Sequence, residues 1–167
     1  DRDNCRYSHE LAKGKTEKSN VATEFAFLSD GPCKSAESWI FDSGASTHIS
    51  NHERDFGNRH LTEKQIRGAF GNSHRASFSG TAVLKLSHGG DDRVVSLDGT
   101  LCSKQMQVKL LSIPALDRKS LRTVFADGRV AVFRQDGVLV MTGTLVDKQY
   151  RLDQTVDASV KTNITRL

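Results

Sequence analysis

The sequence predicts a mostly β domain with a single short helix. Two observations carry this. Short apolar runs recur from Trp39 to Leu152, and they are broken by Gly89-Gly90, Asp98-Gly99, Asp127-Gly128 and Asp136-Gly137. Runs of that length between such turns are strands and hairpins rather than helices. One segment departs from this. Ser112 is a good N-cap and Pro114 is tolerated in a first helical turn, so a short helix is expected over Ser112 to Arg118.

The chain has 167 residues, 37% of them hydrophobic, with a mean hydropathy of −0.46. That is enough for one modest domain with tails. No apolar run approaches the roughly 20 residues of a membrane-crossing helix, so no membrane partner is expected. The first twenty residues lack the apolar centre of a secretory signal. The absence of an initiator Met reads as a segment excised from a longer chain. Three scattered cysteines, Cys5, Cys33 and Cys102, argue against a disulfide framework and for a reducing, intracellular location. A net charge of +4 and a pI near 9.1 allow weak nucleic-acid contact. They fall short of the dense basic patch of a dedicated binder.

The most informative stretch is Trp39-Ile40-Phe41-Asp42-Ser43-Gly44-Ala45-Ser46-Thr47-His48-Ile49. Trp39 to Phe41 is a buried strand that delivers one carboxylate, Asp42, at its end. Small residues follow, and Gly44 is free to take a positive φ. On Asp-Ser-Gly alone, an Asx or Ser turn is the commoner reading. The flanks favour chemistry: an apolar strand, then Asp, a hydroxyl residue, Gly and Ala suits a dehydrated acid that a second such loop can approach. The longer string DSGASTHI resembles the protease of copia-type retrotransposon polyproteins. That resemblance implies a single small closed β-barrel of the retropepsin type, with a flap hairpin and one short helix. It makes Asp42 the catalytic residue and Ser43, Gly44, Ala45 and Ser46 the active-site loop. His48 matches the same string and reads as structural, capping or packing that loop.

Taken in order, residues 1–37 read as a polar linker. Cys5 to Lys13 resembles half of a retroviral zinc knuckle, but only Cys5 and His9 remain as ligands and Gly14 stands about where the last Cys belongs. Two ligands cannot complete a four-ligand site, so no metal and no cofactor is expected. Val21 to Leu28 reads as an edge strand or a bound linker. After Ile49, residues 50–64 are a polar loop in which His52 and His60 have no metal-ligand spacing. Ile66 to Leu86 reads as one hairpin. In the resemblance it is the flap, with Gly71, Asn72, Ser73 and Gly80 as flap residues. Phe70 and Phe78 depart there from the family pattern, which has Asp and Gly. Arg93–Leu97 and Thr100–Ser103 are expected as two strands split by Asp98-Gly99. Met106 to Arg118 resembles the family's next apolar segment, with Lys109 in place of its common Asn and Lys104 in place of its common Pro. The second signature of retroviral proteases, two apolar residues followed by Gly, is absent here. Leu121 to Asp153 reads as a meander: Leu121–Ala126, Arg129–Phe133, Val138–Met141 and Gln149–Leu152. Residues 38–153 form the expected domain and 154–167 a C-terminal linker.

A dyad of carboxylates is needed to share one proton in aspartic-protease chemistry. The Asp-Ser-Gly motif occurs once, so the second carboxylate has to come from a second copy of the chain in a twofold homodimer. The expected substrate is a polypeptide, the Gag-Pol polyprotein itself, in the cytoplasm or a virus-like particle. Two other readings stand beside this one. A decayed retrotransposon barrel is suggested by the broken knuckle, the two Phe substitutions and the lack of an integrase. A nucleic-acid-binding Gag-like fragment is suggested by the charge and the Cys5/His9 pair.

Overall fold

The computed structural model describes residues 23–26, 37–68, 71–88, 91–154 and 164–166. The zinc-knuckle expectation at Cys5 and His9 lies outside them. The described residues form two sheets. The smaller joins β1 (Thr23–Ala26), β4 (Gln65–Gly68) and β5 (Ser73–Arg75) in the order β1-β4-β5. The larger is built from β2 (Trp39–Asp42), β3 (Ile49–Ser50), β6 (Phe78–His88), β7 (Asp91–Cys102) and β8 (Lys109–Ser112), followed by β9 (Arg122–Ala126), β10 (Arg129–Phe133), β11 (Leu139–Val146), β12 (Gln149–Leu152) and β13 (Ile164–Arg166). Its order is β13-β7-β3-β8-β2-β12-β11-β10-β9, with β6 paired to β7. The lone helix among the described residues is α1 (Ile113–Arg118).

The chain threads β8 between β2 and β3. β2 runs parallel to β8 in the register Trp39↔Lys109 to Asp42↔Ser112, and β3 meets the other edge of β8 at Ile49↔Leu110. These strands are buried on both faces, which is why Trp39–Phe41 reads as a continuous apolar run rather than an alternating one. Trp39 and Phe41 enter a large core with Leu84, Leu97, Leu111, Val130 and Met141. Ile40 points the other way into a smaller core with Ala45, Ile49, Ile66, Leu101 and Leu110.

The expected closed barrel is corrected to an open sheet. Among the described residues, neither β13 nor β6, both paired to β7, pairs with β9 at the other end of the sheet. The physical reason lies in the large core. Leu84, Leu86, Val95 and Leu97 of the β6–β7 arm face Val130, Val132, Val140 and Met141 of the β10–β11 arm. The two arms are therefore joined by side-chain packing, as in a sandwich, and not by a ladder of hydrogen bonds. Arg93 adds one polar tie, donating from Nη1 to the Leu139 carbonyl.

Two further expectations change in detail. The single hairpin expected over Ile66–Leu86 divides. β4 and β5 form a small hairpin of their own, and Phe78 starts a long strand paired to Cys102 of β7. The two strands expected around Asp98-Gly99 are one, β7, which absorbs Gly99 at a φ of +70° opposite a register shift between Gly80 and Ala82. Val21 to Leu28, expected as an edge strand or a bound linker, supplies β1 at the edge of the smaller sheet, parallel on β4. The segment 154–167, expected as a linker, contains β13, which lies parallel on β7. The meander follows its turn signals. Asp127 and Gly128 both take positive φ, 49° and 71°, between β9 and β10.

Candidate active site

Asp42 is the last residue of β2, and residues 43–48 cross over the C-terminal end of β8 to reach β3. The loop is tied down along its length. The Gly44 N–H donates to Asp42 Oδ1 at 2.7 Å, the closed form of an Asp-x-Gly turn. The Ala45 carbonyl accepts from Ser112 Oγ at 2.6 Å, and the Ser46 carbonyl accepts from Arg118 Nη2 at 2.6 Å. Thr47 Oγ1 donates to the Gly99 carbonyl at 3.3 Å. His48 Nδ1 accepts from the Ser112 N–H at 3.0 Å, and the His48 carbonyl accepts from the Leu101 N–H at 2.9 Å. Ala45 and His48 are buried, Asp42 is half-buried and Ser43 is exposed.

The electrostatics fit a rigid loop. Burial, with a smaller contribution from the Arg118 charge, lowers the His48 pKa from 6.5 to about 4. His48 is therefore neutral at ordinary pH, and a neutral ring can accept the Ser112 N–H at Nδ1. Ser112 caps α1 at the same time, its Oγ accepting from the Ala115 N–H at 3.0 Å. A cleft of about 600 Å³ opens beside Ser43, with Ile113, Pro114 and Leu121 as its apolar wall and Asp117, Arg122 and Gln135 at its rim.

The structure separates the four residues expected in the flap. Gly71, Asn72 and Ser73 lie at the tip of the β4–β5 hairpin, where Gly71 takes a φ of +82° and the Gly68 N–H donates to the Asn72 carbonyl at 2.7 Å. Asn72 and Ser73 are exposed. Gly80 lies elsewhere, within β6. A Cβ there would stand 2.1 Å from the Asn58 carbonyl oxygen. Gly80 thus serves close backbone packing. Phe78 is 9% exposed and meets Phe56 edge-on at 4.8 Å, so this departure from the family pattern is a core residue.

Sequence reasoning missed two parts of the site. Ser112 was read as a helix cap alone, yet its hydroxyl also holds a carbonyl 67 residues away. Arg118 was read only as a helix end, yet it holds one 72 residues away. No local pattern announces such pairs. A third feature supports the site from below. Lys109, with its side chain 4% exposed, pairs with Asp55 at 3.0 Å, and Asp55 Oδ2 accepts from Ser50 Oγ at 2.5 Å. This pins the turn Glu53–Asp55 to the floor of β3 and β8. Cys102 is buried in β7, and burial raises its thiol pKa to about 11. Among the described residues, no three His, Cys, Asp or Glu side chains gather into a metal-sized group.

Fold and site together define a mostly β domain that presents one carboxylate on a fixed loop. Residues 39–121 match the family described as the Pol polyprotein, beta-barrel domain. The matched segment spans β2 through α1 and includes the whole Asp42 loop; β9–β12 lie beyond it. The match supports a Pol polyprotein of a retroelement. No curated protein and no solved structure matches the chain significantly.

Proposed function

We propose that this chain is an aspartic endopeptidase of a copia-type retrotransposon, acting as a homodimer on its own Gag-Pol polyprotein. The observation that carries the reading is the placement of Asp42. It ends a strand buried on both faces, its Oδ1 is held by Gly44, and its loop is fixed at Ala45, Ser46, Thr47 and His48 while Ser43 faces outward. Ser43 to Ser46 are the active-site loop on this reading.

In the mechanism, two Asp42 carboxylates approach across a twofold axis and share one proton, because like charges at that separation do not both ionise. The ionised carboxylate takes a proton from a water, which attacks the scissile carbonyl. The protonated one donates to the carbonyl oxygen. The outward face at Ser43 leaves room for a second loop. The β4–β5 hairpin, with Gly71, Asn72 and Ser73 at its tip, is the flap that closes over an extended peptide held by strand-like hydrogen bonds. Gly80 shapes the body of the domain beneath it.

The decayed-barrel reading loses one of its supports, because Phe78 packs as a core residue. The test is cleavage of the precursor polyprotein by the purified chain beside Asp42→Asn. The wild-type chain is expected to cut, and a statine-type inhibitor to stop it, while the neutral and isosteric Asn leaves the fold intact and the precursor whole. Cutting by Asp42→Asn at the wild-type rate would remove the protease reading.

A further inference from the structure

We propose that Ser112 is the positioning residue of the Asp42 loop, fixing where the carboxylate points. The proposal rests on the protease reading of Asp42.

Ser112 stands opposite Asp42 in the β2–β8 register and is fully buried. Its hydroxyl uses its hydrogen-bonding capacity in two directions. Oγ donates to the Ala45 carbonyl at 2.6 Å and accepts from the Ala115 N–H at 3.0 Å. Its backbone N–H donates to His48 Nδ1 at 3.0 Å. One residue therefore holds the loop at Ala45 and again at His48, and ties both points to the first turn of α1. The route to the carboxylate is short. Ala45 is next to Gly44, and the Gly44 N–H donates to Asp42 Oδ1 at 2.7 Å. Where Ala45 is held decides where Gly44 sits, and Gly44 orients the carboxylate. Ser112→Ala keeps the backbone bond to His48 and the strand pairing but deletes both side-chain bonds. The Ala45 carbonyl is then buried without this donor, so the loop relaxes and Gly44 moves with it. Loss of the cap alone would loosen α1 and leave Gly44 in place.

The experiment compares the full chain with Ser112→Ala, reading amide hydrogen exchange and, separately, kcat and KM on the precursor. The expected result is Gly44 exchange faster by about tenfold with Val130 of β10 unchanged, as for local rather than global opening. In the cutting assay kcat falls about tenfold while KM stays within about twofold, because the loss is in the orientation of the reacting group. Unchanged Gly44 exchange, with only the α1 amides faster, would show a helix cap and overturn the proposal. Unchanged kcat in a chain whose wild type cuts would overturn it as well. If the wild type shows no cutting that depends on Asp42, the protease reading falls instead, and Gly44 exchange still decides whether Ser112 sets the loop. Should Ser112→Ala fail to fold, Ser112→Cys, near in size but a weaker donor, is read by the same ratio of Gly44 to Val130 exchange.

Discussion

His48 shows how one buried side chain sets a pH limit on the whole loop. Its pKa lies near 4 in the folded chain against 6.5 for a free imidazole, chiefly through burial. The folded state resists the proton that the unfolded state takes up first. Stability is therefore unaffected above about pH 6.5, declines as pH falls through that value, and is fully lost in this contribution below about pH 4. The shift corresponds to about 3 kcal/mol over that window. His48→Asn keeps an acceptor near the Nδ1 position but does not titrate there. Urea unfolding at pH 7 and pH 4.5 is expected to show a much smaller fall in midpoint for His48→Asn than for the wild type. Equal falls in both would mean that His48 does not carry the acid sensitivity. At this scale the sequence was readable in part. The Asp42 loop stood out because its small residues leave few alternatives, and His48 was read as a packing residue. The hydrogen bonds from Ser112 and Arg118 to the loop are not legible in the sequence, because they join residues far apart in the chain whose local roles, a cap and a helix end, do not announce a second partner. Lys109 likewise has its partner, Asp55, 54 residues away, where no local pattern points to it.

Among the elements, the strands bounded by Gly-containing turns were the legible ones. β10 and β12 occupy the residues their patterns indicated, and α1 begins one residue after its Ser112 cap. β11 ran longer than expected. It continues to Val146 and turns through Asp147 and Lys148, two non-glycine residues at φ of 50° and 64°. Asp-Lys is a weaker turn signal than Asp-Gly, because only the Asp of the pair readily takes a positive φ. The Ile66–Leu86 segment misled for the opposite reason. Two strand-like runs around a polar centre suggest one hairpin, but Gly80 lies within β6, where it answers a close approach of the Asn58 backbone rather than a turn. Gly143 in β11 is the same kind of residue and is coupled to the site. A Cβ there would stand 2.5 Å from the Arg151 carbonyl oxygen and 2.8 Å from both Phe41 Cε2 and Val130 Cγ1. Phe41 is the residue that precedes Asp42. Gly143→Ala is expected to destabilise the chain by roughly 1–3 kcal/mol through overpacking, read as a lower urea midpoint. A midpoint within error of the wild type would show that β11 and β12 separate more easily than this packing allows.

At the scale of the molecule, mostly β architecture was legible from turn spacing, whereas closure was not. Whether two arms of a sheet meet by hydrogen bonds or by side chains depends on strand twist and core volume, which turn residues do not encode. The structure brings the arms together across one core and leaves the larger sheet open. On the proposed protease reading, the single Asp-Ser-Gly motif of this sequence calls for a second copy, with the proton-sharing dyad formed between two Asp42 loops. A mixing experiment tests this most directly. Wild-type chain and Asp42→Asn are unfolded together in equal amounts, refolded at a concentration that favours dimers, and assayed on the precursor. If each active unit needs two carboxylates, random pairing leaves about a quarter of the activity of the same total amount of wild-type chain. Half of that activity would mean that each chain cuts on its own, and would contradict the account.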